Sequence, residues 1–178
     1  REMREVYPRA VEWAHRWKLP GLIVFGFHKP GATEENGPSL SSDHPPQQVV
    51  DWLAAAGARA AADNLILMIE PEPVCWADTG TATVSLIAHA GTEGLRINYD
   101  PGNVAWATRR DPIDEFDAVA PLIANVHVKD VRWLSDAATR PAVVPAGEGS
   151  LAYPMHFPRL EKGGYRGPVP LATHTDGS

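Results

Sequence analysis

Hydrophobic positions along the chain fall into two alternating kinds of run, one at helical spacing and one short and almost unbroken. Near the N-terminus, "VYPRAVEWAHRWKLPG" sets Val11, Ala14 and Trp17 or Lys18 at helical spacing, and Pro20-Gly21 closes the segment. "GLIVFGFHK" then predicts a short buried strand. Residues 30–46, "PGATEENGPSLSSDHPP", read as a loop that is long for a compact domain, and such loops often serve as lids. "QQVVDWLAAAGARAAADN" predicts an Ala-rich helix begun by Pro45-Pro46, leading straight into the strand "LILMIE".

The alternation repeats. "TGTATVSLIAHAG" predicts a helix with Asp or Thr at its start and Gly91 at its end. "GLRINYD" predicts a strand, "DPIDEFDAVAPLIA" a helix and "NVHVKD" a strand. A long connection holding "PAGEGS" precedes a short helix, "YPMHFPRLEKGG", and a last strand, "GPVPLATH". Five strands separated by helices, each mostly apolar, predict a parallel sheet covered on both faces or closed into a barrel. No low-complexity linker interrupts residues 1–178, so the expectation is a single α/β domain.

Composition narrows the function. The 178 residues are 44% hydrophobic and 21% charged, with a net charge of −6, which argues against a large phosphate-binding surface but leaves room for a local basic groove. The single cysteine, Cys75, cannot form an intrachain disulfide, and a partly buried thiol is the expectation. No apolar run approaches the roughly 18 residues that span a bilayer. "REMREVYPRA" carries no signal-peptide core, so a cytoplasmic, reducing setting is expected.

Polar residues collect where strands end. "LILMIE" ends on Glu70 and "GLRINYD" on Asp100, while "NVHVKD" carries His127, Lys129 and Asp130. In parallel α/β architectures the C-terminal strand ends meet at one face, so these residues converge there. Glu, Asp and His together are a plausible ligand set for Mn, Co, Mg or Zn. Each has a plainer reading alone. Glu70 can pair with a Lys or cap a helix, Asp100 before Pro101-Gly102 fits turn chemistry, and a strand His is often a hydrogen-bonded core residue. Lys129 and Asp130 can bind sugar hydroxyls or simply pair with each other. Glu148 can contact substrate or stay solvated. His28 can reach the same region, and Trp76 can wall a sugar ring or pack.

"LMIEPEP", "INYDPGNV", "NVHVKD", "PAGEGS" and "GGYRGPVPLATH" occur in the order found in the xylose isomerase-like TIM-barrel superfamily, which the chain resembles from about residue 20 onward. That group holds sugar epimerases and isomerases, inosose dehydratases and endonuclease IV-type repair enzymes. The resemblance implies a (β/α)8 barrel of which roughly strands four to eight are present, the rest belonging to a longer chain or to a partner chain completing the barrel. It implies a divalent metal held by Glu70, Asp100 and His127, with Glu70 also catalytic, and substrate contacts from Asn103, Lys129, Asp130 and Glu148.

The fourth ligand of the ketose 3-epimerase branch is a last-strand Glu, and that position falls on Ala172. Asn103 and Asn125 stand where relatives often have His. Ala172 can neither ligate nor take a proton, so three readings stay open: a disabled site, replacement by His174, or one-base chemistry such as dehydration. The expected function is a metal-dependent sugar or sugar phosphate isomerase or epimerase-like protein, with a small sugar or polyol as substrate. The alternatives are an inosose-type dehydratase, an endonuclease IV-like metal hydrolase or a non-catalytic scaffold. The low His count (seven) and the acidic balance weigh against the hydrolase.

Overall fold

The computed structural model describes residues 2–33, 44–133 and 141–172, with side chains from residue 5. Its helices are α1 (Glu2–Trp17), α2 (Gln47–Ala62), α3 (Gly80–Ala90), α4 (Pro101–Thr108), α5 (Phe116–Val119) and α6 (Tyr153–Lys162). Its strands are β1 (Gly21–Phe25), β2 (Ile66–Glu70), β3 (Leu95–Tyr99), β4 (Ile123–Val126), β5 (Asp130–Arg132) and β6 (Ala142–Val144). The first four form one parallel sheet in sequential order, while β5 and β6 pair as an antiparallel hairpin. This is the α/β architecture of a partial TIM barrel.

One face of the sheet carries the core. Leu67 and Ile69 of β2, Leu95, Ile97 and Tyr99 of β3, and Val126 of β4 pack under Val50, Leu53 and Ala60 of α2 and Leu86 and Ile87 of α3. The 3–4 residue spacing of the helical positions is what directs a single apolar stripe onto the sheet. Thr79 starts α3 by accepting the Ala82 N–H at 3.0 Å, and Gly91 ends it in a left-handed conformation. In α1, Val11 and Ala14 face the core as expected, but Trp17 is exposed and stacks near Trp13 instead.

The other face is the barrel lumen. Glu70 on β2 lies beside Phe25 of β1, and Met68 beside Ile23. Ile23, Phe25 and Ile66 are exposed, so this part of the lumen is open among the described residues.

The β3–β4 register contains the decisive irregularity. Ile97 pairs with Ile123, yet Asn98 pairs with Asn125, so Ala124 is an extra residue in β4. Without it, Asn125 and His127 would share the outward face of Ile123 by simple alternation. The extra residue inverts the phase, turning Val126 into the core and Asn125 and His127 into the lumen.

Several elements depart from the sequence expectation. Asp100 caps a helix, α4, rather than making only a turn, because its carboxylate accepts the Asn103 N–H and Pro101 fits the first helical position. The predicted helix over 111–124 is a 3₁₀ turn (Pro112–Glu115), the four-residue α5 and a second 3₁₀ turn (Ala120–Leu122), with Ile123 and Ala124 already in β4. Pro112 starts the first piece, and Pro121, which has no N–H to donate, keeps the helix from continuing through 120–124. The predicted last strand is reduced to a parallel bridge between Leu171 and Val128, since Pro168 and Pro170 supply no N–H to a ladder. The strand expected at "GLIVFGFHK" ends at Phe25, where Gly26 and the positive φ of Phe27 break it.

Close backbone approach fixes α4 against the end of β4. A methyl group on Gly102 would press into the Lys129 carbonyl oxygen and lie 2.8 Å from Lys129 Cβ. Gly102→Ala must therefore push the two apart. We expect it to destabilise the fold by about 1–3 kcal/mol, as overpacking typically does. Urea melts check this through a lowered midpoint at unchanged slope, and a midpoint equal to the parent's would show the contact to be slack.

Candidate metal centre

Three strand ends deliver Glu70, Asp100 and His127 to one spot in the lumen. One ligand atom from each lies within 4.8 Å of the others. Glu70 and Asp100 are buried, and the His127 side chain is 20% exposed, so the cluster has one open side. The phase inversion at Ala124 is what brings His127 round to the two carboxylates.

Both carboxylates are oriented by surrounding donors. Asn98 Nδ2 donates to Glu70 Oε2 at 2.7 Å, and Asn103 Nδ2 donates to Glu70 Oε1 at 3.2 Å. Asn103 Nδ2 also lies 2.9 Å from the Pro71 carbonyl and 3.2 Å from Glu72 Oε2, so its two hydrogens are shared among three acceptors. Asp100 divides its work: Oδ1 caps α4, while Oδ2 turns to the cluster.

Asp100 Oδ2 is the atom that points to a cation. It is fully buried and accepts no aligned hydrogen bond; the Lys129 ammonium lies 3.2 Å away without the geometry of one. Burial pushes the Asp100 carboxyl above its ordinary range, and Lys129 and the Asn103 N–H only partly oppose this. The His127 imidazole is raised first by its hydrogen bond with Glu70, against the effect of its own burial. Two buried carboxylates facing one buried ammonium leave the cluster one positive charge short. A divalent cation would more than meet this. The carboxylate, carboxylate and imidazole donors are of the kinds that suit Mg, Mn, Co or Zn, and their ligand atoms lie within 4.8 Å of one another.

The neighbouring residues take distinct places. Lys129 is buried and donates to Asn103 Oδ1 at 2.8 Å, and its backbone is clamped by the Tyr153 hydroxyl at 3.0 and 2.8 Å. Lys129 therefore turns to Asp100 and Asn103 rather than to Asp130. Asp130 is fully buried, and its two oxygens accept N–H groups from Val131, Gly147, Gly149 and Leu151 at 2.9–3.3 Å. It organises the "PAGEGS" loop, in which Gly147 holds a positive φ. The Glu148 side chain is exposed, while its carbonyl accepts from Arg132 at 2.6 Å.

Leu171 is paired with Val128, so Ala172 stands in register with Lys129, on the lumen face of His127. The position that would carry a fourth ligand carries a methyl group. His174 lies outside the described residues. His28 is exposed and bridges to Cys75, outside the three-residue cluster. Trp76 is half-buried beneath the Lys29 ammonium, which pairs with Asp78 at 2.6 Å. Burial pushes the Cys75 thiol up to about 12, so it is an inert core thiol.

Sequence reasoning passed over Asn98 and treated Asn125 only as a departure from relatives. Asn98 stands two residues before Asp100, and Asn125 two before His127. Strand alternation alone would have put each on the face of its successor.

Comparison with known proteins follows the same lines. The family model described as "Xylose isomerase-like TIM barrel" matches residues 4–177. A 3-dehydroshikimate dehydratase of Bacillus anthracis is 24% identical over 131 residues, covering 67% of this chain and 46% of that protein. The crystal structure of a probable 3-DHS dehydratase from Bacillus anthracis superposes with a TM-score of 0.78 at 19% identity, covering 99% of this chain and 65% of that one. A xylose isomerase-like TIM-barrel protein from Mycobacterium smegmatis in complex with magnesium gives 0.77 at 18% identity, covering 97% and 60%. The chain thus spans about half the length of the curated relative and under two thirds of these structures. The parallel sheet, the ligand cluster at its C-terminal end and the match over nearly the whole sequence agree: this chain belongs to the xylose isomerase-like TIM-barrel family.

Proposed function

We propose that this chain carries the metal site of an enzyme that removes a proton next to a carbonyl in a small, oxygen-rich substrate. That step is shared by sugar isomerases, epimerases and dehydratases. The observation that carries the reading is the buried Asp100 Oδ2, ion-paired with Lys129 at 3.2 Å but without an aligned hydrogen bond, close to Glu70 and His127. A divalent cation held by these three residues would act as a Lewis acid, polarising the carbonyl and offsetting negative charge as the proton leaves.

The chain's own residues do the rest. Each Glu70 oxygen takes an amide hydrogen, which leaves lone pairs both for a cation and for a substrate proton. Glu70 is thus the proton acceptor. The Lys129 ammonium has three hydrogens; one goes to Asn103 and one leans toward Asp100, and the third is offered to a substrate oxygen. Asn103 holds Glu70 and Lys129 in fixed relation, and Glu148 contributes from the loop anchored by Asp130.

Ala172 favours one outcome of this chemistry. Two-base epimerisation needs a second acceptor on the opposite face of the substrate, and a methyl group in that register cannot serve. Loss of a β-hydroxyl after a single abstraction needs only one such base. The 3-dehydroshikimate dehydratase relative supports the same dehydratase reading.

Two measurements test this. Titrating Mn2+ or Co2+ into the chain is expected to show one ion per molecule. Saturation at about a hundred times Kd should add roughly 2.7 kcal/mol of stability and raise Tm by about 5–10 °C. Glu70→Gln should abolish most of that rise, and an unchanged Tm in the parent would sink the metal reading. Ala172→Glu is expected to tighten metal binding about tenfold or more, ~1.4 kcal/mol, by supplying a fourth carboxylate. For the reaction, 3-dehydroshikimate and a small keto-sugar are incubated in D2O and followed by NMR. Water loss supports dehydration, and deuterium exchange without elimination supports isomerisation. Absence of both from a metal-loaded chain would leave the binding reading without its chemistry.

A further inference from the structure

The lumen contains a polar pair, Asn98 and Asn125, whose second member the proposed chemistry does not use. Asn98 is completely buried and Asn125 nearly so, and Asn125 Nδ2 donates to Asn98 Oδ1 at 2.7 Å. Asn98 Nδ2 in turn donates to Glu70 Oε2 at 2.7 Å and lies 3.2 Å from His127 Nδ1. Two buried amides in a barrel lumen are costly unless fully paired, so their placement calls for a role.

Chemistry fixes the direction of this chain. An ionised Glu70 only accepts, so Asn98 must present its NH2 group there. Its carbonyl oxygen is then left facing β4, and Asn125 must supply a donor. Asn125 reaches that carbonyl because Ala124 is the extra residue in β4, which sets Asn98 opposite Asn125. The same irregularity that carries His127 into the lumen thus also brings in the amide that locks Asn98.

We infer that Asn98, held in one amide orientation by Asn125, is the positioning residue that aligns Glu70 with His127 for cation binding. The inference rests on the metal reading given above. Asn98 spans the gap between a β2 ligand and a β4 ligand from the strand between them. It donates to Glu70 Oε2 at 2.7 Å and so fixes the orientation of the carboxylate beside His127 and Asp100. Among the described residues the hydrogen bond of the Asn125 side chain goes to Asn98, and through it Asn125 acts on Glu70. Partners that orient metal ligands in this way typically matter 10- to 100-fold in affinity, on the order of what is expected here.

The test is Co2+ binding by calorimetry together with the visible absorption of the bound ion, on the parent, Asn98→Leu, Asn125→Leu and the double variant. Circular dichroism monitors folding. Asn98→Leu is expected to weaken Co2+ about 10- to 100-fold and to change the band positions, since ligand geometry alters. Asn125→Leu should weaken it in the same sense by a smaller factor, with the double variant no worse than Asn98→Leu alone. Should Asn98→Leu not fold, Asn125→Leu decides: weakened binding with shifted bands supports the inference. Parent-like affinity and an unchanged spectrum in a folded variant overturn it while leaving the metal reading intact. A parent chain that binds no Co2+ overturns the metal reading, and the positioning role with it.

Discussion

Two carboxylates buried at the end of a parallel sheet set the terms for everything around them. Glu70 and Asp100 are almost removed from water, and ions in that position are tolerated only when donors and opposite charges surround them. Glu70 is met by two amides, Asp100 by a helix N-terminus and a lysine. Each of those partners must itself be held, which is why Asn103 bridges Lys129, Pro71, Glu70 and Glu72, and why Tyr153 of α6 clamps the Lys129 backbone. The polar lumen is in this sense one connected unit, with Asp100 Oδ2 held by its ion pair to Lys129 rather than by an aligned hydrogen bond.

The backbone devices serve that unit. The extra residue Ala124 rotates the remainder of β4 by half a pleat, and Gly102 lets α4 approach close enough for Asp100 and Lys129 to meet. Asp130 performs a parallel task just beyond the site, gathering four N–H groups so that the glycine-rich loop keeps one shape. Loop geometry and ligand geometry are thus coupled through residues 127–130. The exposed side chains of Ile23 and Phe25 lie on the same face of the sheet as Glu70.

Reaction outcome in this architecture turns on the number of acceptors around a polarised carbonyl. A carboxylate on each side of the substrate permits inversion of a carbon centre, whereas one carboxylate commits the chemistry to a single face. Ala172 occupies the register where a second carboxylate would be effective. On the proposed reading, substitution of one side chain therefore changes the class of reaction the cluster can support without disturbing the sheet, because the backbone pairing of Ala172 with Val128 needs no side chain.

How much of this was legible beforehand depended on the range of the interaction. Alternating helical and continuous apolar runs, with Glu70, Asp100 and His127 at strand ends, were enough for the α/β class and for the convergence of these three residues, since hydrophobic period and strand termini are local properties. The helix begun at Asp100-Pro101 was written in the sequence too, as a capping residue followed by proline, but competed with an equally good turn. Proline punctuation in 111–124 and 167–174 likewise carried its information locally. Which face His127 would occupy was not local. Plain alternation from Ile123 points it outward, and only pairing against β3, with Ala124 left over, turns it inward. The role of Asp130 was equally hidden, because a carboxylate bound by backbone N–H groups from residues 131–151 looks in sequence like one waiting for substrate. The sequence by itself determined the four strands of the parallel sheet and the polar residues that end them, since each depends on residues near in the chain. Only the tertiary structure decided the phase of β4 and the partners of every buried charge, because those are settled by contacts between segments that the chain keeps far apart.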